Sequence, residues 1–196
     1  MSFQTPITIK EATEQIHAKK YLLPAIQRDV VWKVDQITRL FDSLMRDYPI
    51  GSFLFWHVDK KNVGRYQFYE FVRNYHERDM CHNPKADVHG EDDITGILDG
   101  QQRLASLYIG LRGSYAYKEP KKRWDDPHAF PTRQLYLNLL APKKNGDETD
   151  MIYDFVFMKD EEPSAGDGNA FWFKVGDILG YKEPYELNNY LIEHGL

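Results

Sequence analysis

The sequence holds one cysteine, Cys81, in 196 residues, which excludes an internal disulfide framework and leads us to expect a reducing, cytoplasmic setting. No apolar run approaches the roughly 20 residues needed to cross a bilayer, and no basic-then-apolar leader follows Met1, so no membrane association is expected. Positive charge is not in excess. Lys and Arg number 25 against 30 Asp and Glu, a net charge of −5. That excludes a generally basic nucleic-acid coat and leaves room for a local basic groove. There is no Gly-x-x-x-x-Gly-Lys-Ser/Thr run, so the chain is not a P-loop enzyme. His76, Cys81, His82 and His89 do not fall at zinc-ligand spacing, and no metal site is expected of them. Neither an internal repeat nor a low-complexity segment is present.

What is there is centred on residues 97–107, Ile-Leu-Asp-Gly-Gln-Gln-Arg-Leu-Ala-Ser-Leu. Ile94, Ile97 and Leu98 form an apolar run too short for a helix and suited to a strand buried on both faces. Asp99-Gly100 is turn chemistry. Leu104, Leu107, Tyr108 and Leu111 then recur at helical spacing, with Gly113 as the stop. Asp99 is thereby placed near the helix N-cap, with Gln101, Gln102 and Arg103 in the first turn. A cation is unfavourable at a helix N-terminus unless an anion is near. Two readings stand. Exposed N–H groups, an approachable Gly100, two amides and a guanidinium make a phosphate cradle. Alternatively, Asp99 caps the helix and Arg103 pairs with it or with an acidic neighbour.

Taken in order, residues 7–19 read as a short helix led by Thr5-Pro6 or Thr8, with Ala12 and Ile16 inward. Residues 21–26 suit an edge strand, because Pro24 donates no ladder hydrogen bond. Val34, Ile37, Phe41, Leu44 and Tyr48 form one helical stripe, with Asp35, Arg39, Asp42 and Arg46 elsewhere. Residues 53–58 are apolar on both faces and are read as a central strand. Residues 66–72 read as a further strand, and 73–93 as a polar surface insertion. Residues 115–133 mix Lys118, Lys121, Lys122, Arg123 and Arg133 with Tyr115, Tyr117 and Trp124. Such interleaving can line a nucleic-acid strand. The plainer reading, a solvated loop anchored by Trp124, is preferred, because Glu119, Asp125 and Asp126 dilute the charge. Residues 135–139 and 152–158 pair as strands across a turn, and 171–175 form another. Asp177 can cap a short helix through Leu179, and a helix begins at Glu186. The expected organisation is one domain over 1–180, then the start of a helical region over 181–196 that looks cut just past a domain boundary.

Three pieces stand in order: Leu23-Pro24-Ala25-Ile26-Gln27-Arg28 with Trp32 following, Asp42-Ser43-Leu44 leading to Pro49-Ile50-Gly51, and Leu98-Asp99-Gly100-Gln101-Gln102-Arg103-Leu104. Together they resemble the N-terminal domain of the GmrSD-type restriction endonucleases. The strands at 135–139 and 171–175 also fit that pattern. The resemblance implies an α+β fold, a ParB/sulfiredoxin-like mixed sheet with flanking helices. It implies a domain that binds and hydrolyses a nucleoside triphosphate in phage defence against modified DNA, with a C-terminal His-Asn-His nuclease domain or a nuclease subunit as partner. No such nuclease motif is found among the seven histidines here. Carried across by position, Asp99 and Arg103 are the catalytic pair. Gly100, Gln101, Gln102 and Arg103 bind the nucleotide, and Gln27 and Arg28 complete the pocket.

In that reading Arg28 and Arg103 neutralise phosphate oxygens. Asp99 positions water or holds Mg²⁺, the expected cofactor, and Gln101 or Gln102 orients the attacking water. The competing readings are a non-catalytic module of the same fold that binds DNA or a protein, and a purely structural use of both Gln-Arg pairs as caps and ion pairs.

Overall fold

The computed structural model describes residues 5–25, 31–88, 93–142, 150–160 and 170–196. Helix α1 (Ile9–His17) opens on a reciprocal cap. The Thr8 hydroxyl accepts from Glu11 N–H at 3.1 Å, and the Glu11 carboxylate accepts from Thr8 N–H at 2.8 Å. Strand β1 (Tyr21–Pro24) follows, then helix α2 (Val34–Met45), strand β2 (Leu54–Val58) and the single turn α3 (Lys60–Val63). Strands β3 (Phe68–Tyr69) and β4 (Asn74–His76) precede β5 (Ile94–Asp99), helix α4 (Gln101–Arg112) and β6 (Ser114–Ala116). The chain continues through β7 (Thr132–Pro142), β8 (Tyr153–Met158) and β9 (Trp172–Lys174) to helix α5 (Pro184–Glu193).

Among the described residues nine strands divide into two sheets, so the fold is mixed α+β with flanking helices. The first has the order β2-β5-β1-β3, with β1 and β5 parallel and the outer pairs antiparallel. The second is built on β7, with β8 on one edge and β6 and β9 on the other, and β4 extends it beyond β6. Helix α4 joins the two cores. Leu104 and Tyr108 pack with α1, Leu23 and Ile97 of the first sheet. Leu107 and Ile109 pack with Phe41 of α2 and with Leu135 and Phe157 of the second sheet. A helix buried on opposite sides carries apolar residues all round, as α4 does. Among the described residues no helix is long and apolar enough to cross a membrane.

Three expectations are corrected, and one acidic residue proves to be buried. Strand β2 is an edge of the first sheet, not a centre. Its apolar residues reflect covered faces: Trp56 lies against Tyr66 and Phe68, and Phe55 against Tyr21. Covering a strand's faces leaves its outer edge free. Conversely, β1 lies inside the sheet despite Pro24. The ladder there is continued by Ala25 N–H, which donates to Gln67 O at 3.0 Å. The polar segment 73–93 is not only a surface insertion, because β4 pairs with β6 and Ala86 is buried. Asp42 does not face solvent. It is 2% exposed, and its Oδ1 accepts from Ile152 N–H at 2.9 Å and Tyr153 N–H at 2.8 Å, with Arg46 Nη1 3.3 Å from Oδ2. A buried carboxylate with this many donors is satisfied, and here it latches α2 to β8.

In the 115–133 loop three of the five basic residues have local partners. Lys118 Nζ donates to the carbonyls of Glu119 and Lys122, Arg123 pairs with Asp125, and buried Arg133 lies over the Tyr117 ring at 3.9 Å. This agrees with the plainer reading of that loop.

Candidate functional site

The site grows from the junction of β5 and α4. Strand β5 ends at Asp99, and the chain turns at Gly100, whose φ of +85° lies in the left-handed region. A Cβ there would stand 2.3 Å from Phe53 Cδ1, so both the backbone angle and the neighbouring ring demand glycine. Gly100, not Asp99, is the N-cap residue, and no side chain caps the helix. The first intrahelical bond runs from Leu104 N–H to Gly100 O at 3.0 Å. The N–H groups of Gln101, Gln102 and Arg103 therefore have no carbonyl four residues back, and the helix start carries partial positive charge.

The side chains of this first turn have distinct surroundings. Gln101 Nε2 donates back to Ile97 O at 2.5 Å, which braces the turn against its own strand. Gln102 Oε1 is buried with no hydrogen-bond partner. Arg103 reaches across to the segment after α2. Its Nη1 donates to Ile50 O, its Nη2 donates to Ser52 O at 2.8 Å, and Asp99 Oδ2 lies 3.4 Å from Nη2. The guanidinium also covers the Phe53 ring, 4.6 Å from its centroid. Gly51, with φ +83°, lets this segment wrap the guanidinium, since a Cβ there would lie 2.7 Å from Arg103 Nη1. Arg103 is thus a brace between α4 and residues 50–53 as well as a charge at the helix start. Asp99 is exposed.

Beside Arg103 opens a cleft of about 870 Å³. One wall is α2, which presents Asp35, Gln36, Arg39 and Ser43. The others are Trp32 and Lys33 before it, the turn of Tyr48, Pro49 and Ile50 after it, and Arg103 itself. Cations outnumber anions on this lining, with Lys33, Arg39 and Arg103 against Asp35. Arg39 is exposed, and its guanidinium takes no hydrogen bond or ion pair among the described residues. Its role was not foreseen. The signal was present as the polar spacing of residues 36, 39 and 43, one face of α2 pointing away from the apolar stripe.

The structure brings Asp99, Gly100, Gln101, Gln102 and Arg103 into one turn at the edge of this cleft. Gln27 and Arg28 lie outside the described residues, which resume at Val31, directly before Trp32. For Mg²⁺ the fit is partial but chemically sound. Asp99 supplies one exposed carboxylate, and Mg²⁺ commonly combines one or two carboxylates with substrate phosphates.

Comparison with known proteins bears on what this arrangement serves. The family described as GmrSD restriction endonuclease, N-terminal domain, matches residues 9–191. The uncharacterized protein MJ0686 of Methanocaldococcus jannaschii is 32% identical over 108 residues. That match covers 55% of this chain and 17% of MJ0686, so the chain spans less than a fifth of that relative.

Proposed function

The chain belongs to the GmrSD restriction endonuclease N-terminal domain family, and on that premise we propose that the cleft beside Arg103 binds a nucleoside triphosphate and hydrolyses its terminal phosphoanhydride. One observation carries the reading: a cleft of about 870 Å³ with three cations and one carboxylate on its lining adjoins the uncapped start of α4. A triphosphate brings several negative charges, and helix N–H groups with guanidinium forks are suited to hold them. Arg39 is free to turn toward a phosphate, and Trp32 offers a ring to a nucleobase.

In hydrolysis, water attacks the terminal phosphorus, the bond to the bridging oxygen breaks, and a diphosphate and inorganic phosphate leave. Asp99 would be the carboxylate to hold Mg²⁺, which would supply charge neutralisation on the phosphates. The chain's own part is positional. Arg103, fixed by the Ile50 and Ser52 carbonyls, sets a positive charge at the helix start, and Arg28 supplies a second in this reading. Gln101 holds the turn, and the buried Gln102 Oε1 lies off the cleft lining. By its family, the domain would couple this chemistry to a nuclease on the same protein or a separate subunit, acting on modified DNA in a cytoplasmic defence system.

A second reading is favoured by a specific observation. Arg103 is already ligated by two backbone carbonyls and Asp99, as a purely structural brace would be. The domain would then be a ParB-like module that binds DNA or a protein without turnover. Calorimetric titration with each of the four ribonucleoside triphosphates and Mg²⁺ separates the two. The nucleotide reading expects saturable binding of at least one, weakened roughly tenfold in Arg39→Ala with an unchanged melting temperature. Absence of binding for all four, or equal binding by the variant, would overturn the cleft assignment.

A further inference from the structure

We propose that His57, Asp59 and Asp93 form a binding site for a divalent first-row transition ion such as Zn²⁺ or Mn²⁺, at the far end of the first sheet from the β5–α4 turn. The strand register assembles it. Strands β2 and β5 are antiparallel, with Val58 opposite Ile94, so Asp59 and Asp93 leave the ladder side by side. His57 and Asp59 are two residues apart, the spacing that shares a strand face. His57 Nε2 stands 3.8 Å from Asp59 Oδ1 and 3.8 Å from Asp93 Oδ2, and one ligand atom from each of the three residues falls within 4.8 Å of the others. Donors around a zinc ion at about 2.0–2.2 Å lie roughly 3–3.6 Å apart, so the two His57 pairs close by a few tenths of an ångström, and the two carboxylates by at most about 1–2 Å, which side-chain rotation at an exposed site supplies.

The local hydrogen bonding supports a ligand role. Asp59 occupies the N-cap position of α3, where aspartate ordinarily accepts a helix N–H, yet its side chain makes no cap bond. Asp93 does that work from the neighbouring strand: its Oδ1 accepts from Lys60 N–H at 2.8 Å. Asp93 Oδ2 and Asp59 Oδ1 are thereby left beside His57 Nε2. Among the described residues no Lys or Arg pairs with either aspartate. Two carboxylates side by side across a strand pair repel, and a cation between them removes that repulsion. An imidazole nitrogen among the donors favours zinc over calcium or magnesium, and the two carboxylates also suit manganese. All three side chains are more than half exposed, which leaves coordination positions for water. Six strand residues, about 20 Å, separate Asp93 from Asp99, so the ion would clamp edge strand β2 to β5 and take no part in the cleft.

The test is titration of the untagged 196-residue chain with Zn²⁺ and with Mn²⁺ near neutral pH, followed by calorimetry and by melting temperature. We expect one equivalent of at least one ion to bind with a micromolar constant and to raise the melting temperature by roughly 5 °C at a hundredfold excess over Kd. His57→Ala and Asp93→Asn should each weaken binding roughly tenfold or more. Asp93→Asn keeps an oxygen for Lys60 N–H, so its metal-free melting temperature should match the parent. Mn²⁺ should selectively broaden the His57 imidazole resonances. If both ions bind more weakly than about 1 mM, the three side chains are an ordinary surface cluster, and the proposal fails. It fails equally if either variant binds like the parent, since the ion then sits elsewhere.

Discussion

The ring of Phe53 occupies the space that a side chain at residue 100 would need: a Cβ on Gly100 would lie 2.3 Å from Phe53 Cδ1, at a φ of +85°. This pair fixes how closely residues 50–53 approach the start of α4. Gly100→Ala should cost about 2–4 kcal/mol, from the left-handed backbone and the overlap together. Denaturant unfolding checks it, and Phe53→Leu in the same chain should restore part of the loss, because the overlap is with the ring.

The brace and the free guanidinium should separate experimentally. Arg103→Ala removes the donors to Ile50 O and Ser52 O, so it should lower the melting temperature by several degrees and weaken nucleotide binding as well. Arg39→Ala has no described partner to lose and should affect binding alone. Melting curves read beside titrations distinguish the two.

Asp42 holds α2 to β8 through two backbone N–H groups. Asp42→Ala should cost about 2–4 kcal/mol by leaving buried donors without an acceptor. Asp42→Asn keeps one carboxamide oxygen and should cost about half as much. Unfolding free energies of the two variants give the comparison.

Acid should loosen the second sheet through Glu119. The hydrogen bond from Lys159, with further help from that charge and from Arg133, holds the Glu119 carboxyl below its ordinary value of about 4.5. A lowered folded-state pKa gives stability that is present above the unfolded value and lost as pH falls through the folded one. The melting-temperature gap between the parent and Glu119→Gln should therefore be open at neutral pH and close as pH drops below about 4.5.

Local chemistry was the most legible part of this chain. Thr8 is one of two candidate starts for α1, the apolar spacing marks α2 and α4, and Asp99-Gly100 marks the turn between β5 and α4. What escaped depends on partners far along the chain. Asp42 lies off the apolar stripe in sequence, and its burial appears only when residues 152 and 153 present their N–H groups to it. Arg103 reads as a cation seeking a phosphate until the carbonyls of residues 50 and 52 close over it. The position of β2 at an edge was hidden because an apolar strand reports covered faces and says nothing of its hydrogen-bonding edges. His57 and Asp59 are two apart in sequence, but Asp93 joins them only through the β2–β5 register.

The central claim concerns turnover at the cleft beside Arg103, and phosphate release tests it most directly. The chain is incubated with each ribonucleoside triphosphate and Mg²⁺, and inorganic phosphate is measured for the parent, Asp99→Asn and Arg39→Ala. The account predicts release from at least one triphosphate by the parent, reduced roughly tenfold or more in both variants while both remain folded. No release above buffer from any of the four, or full activity in both variants, would contradict it.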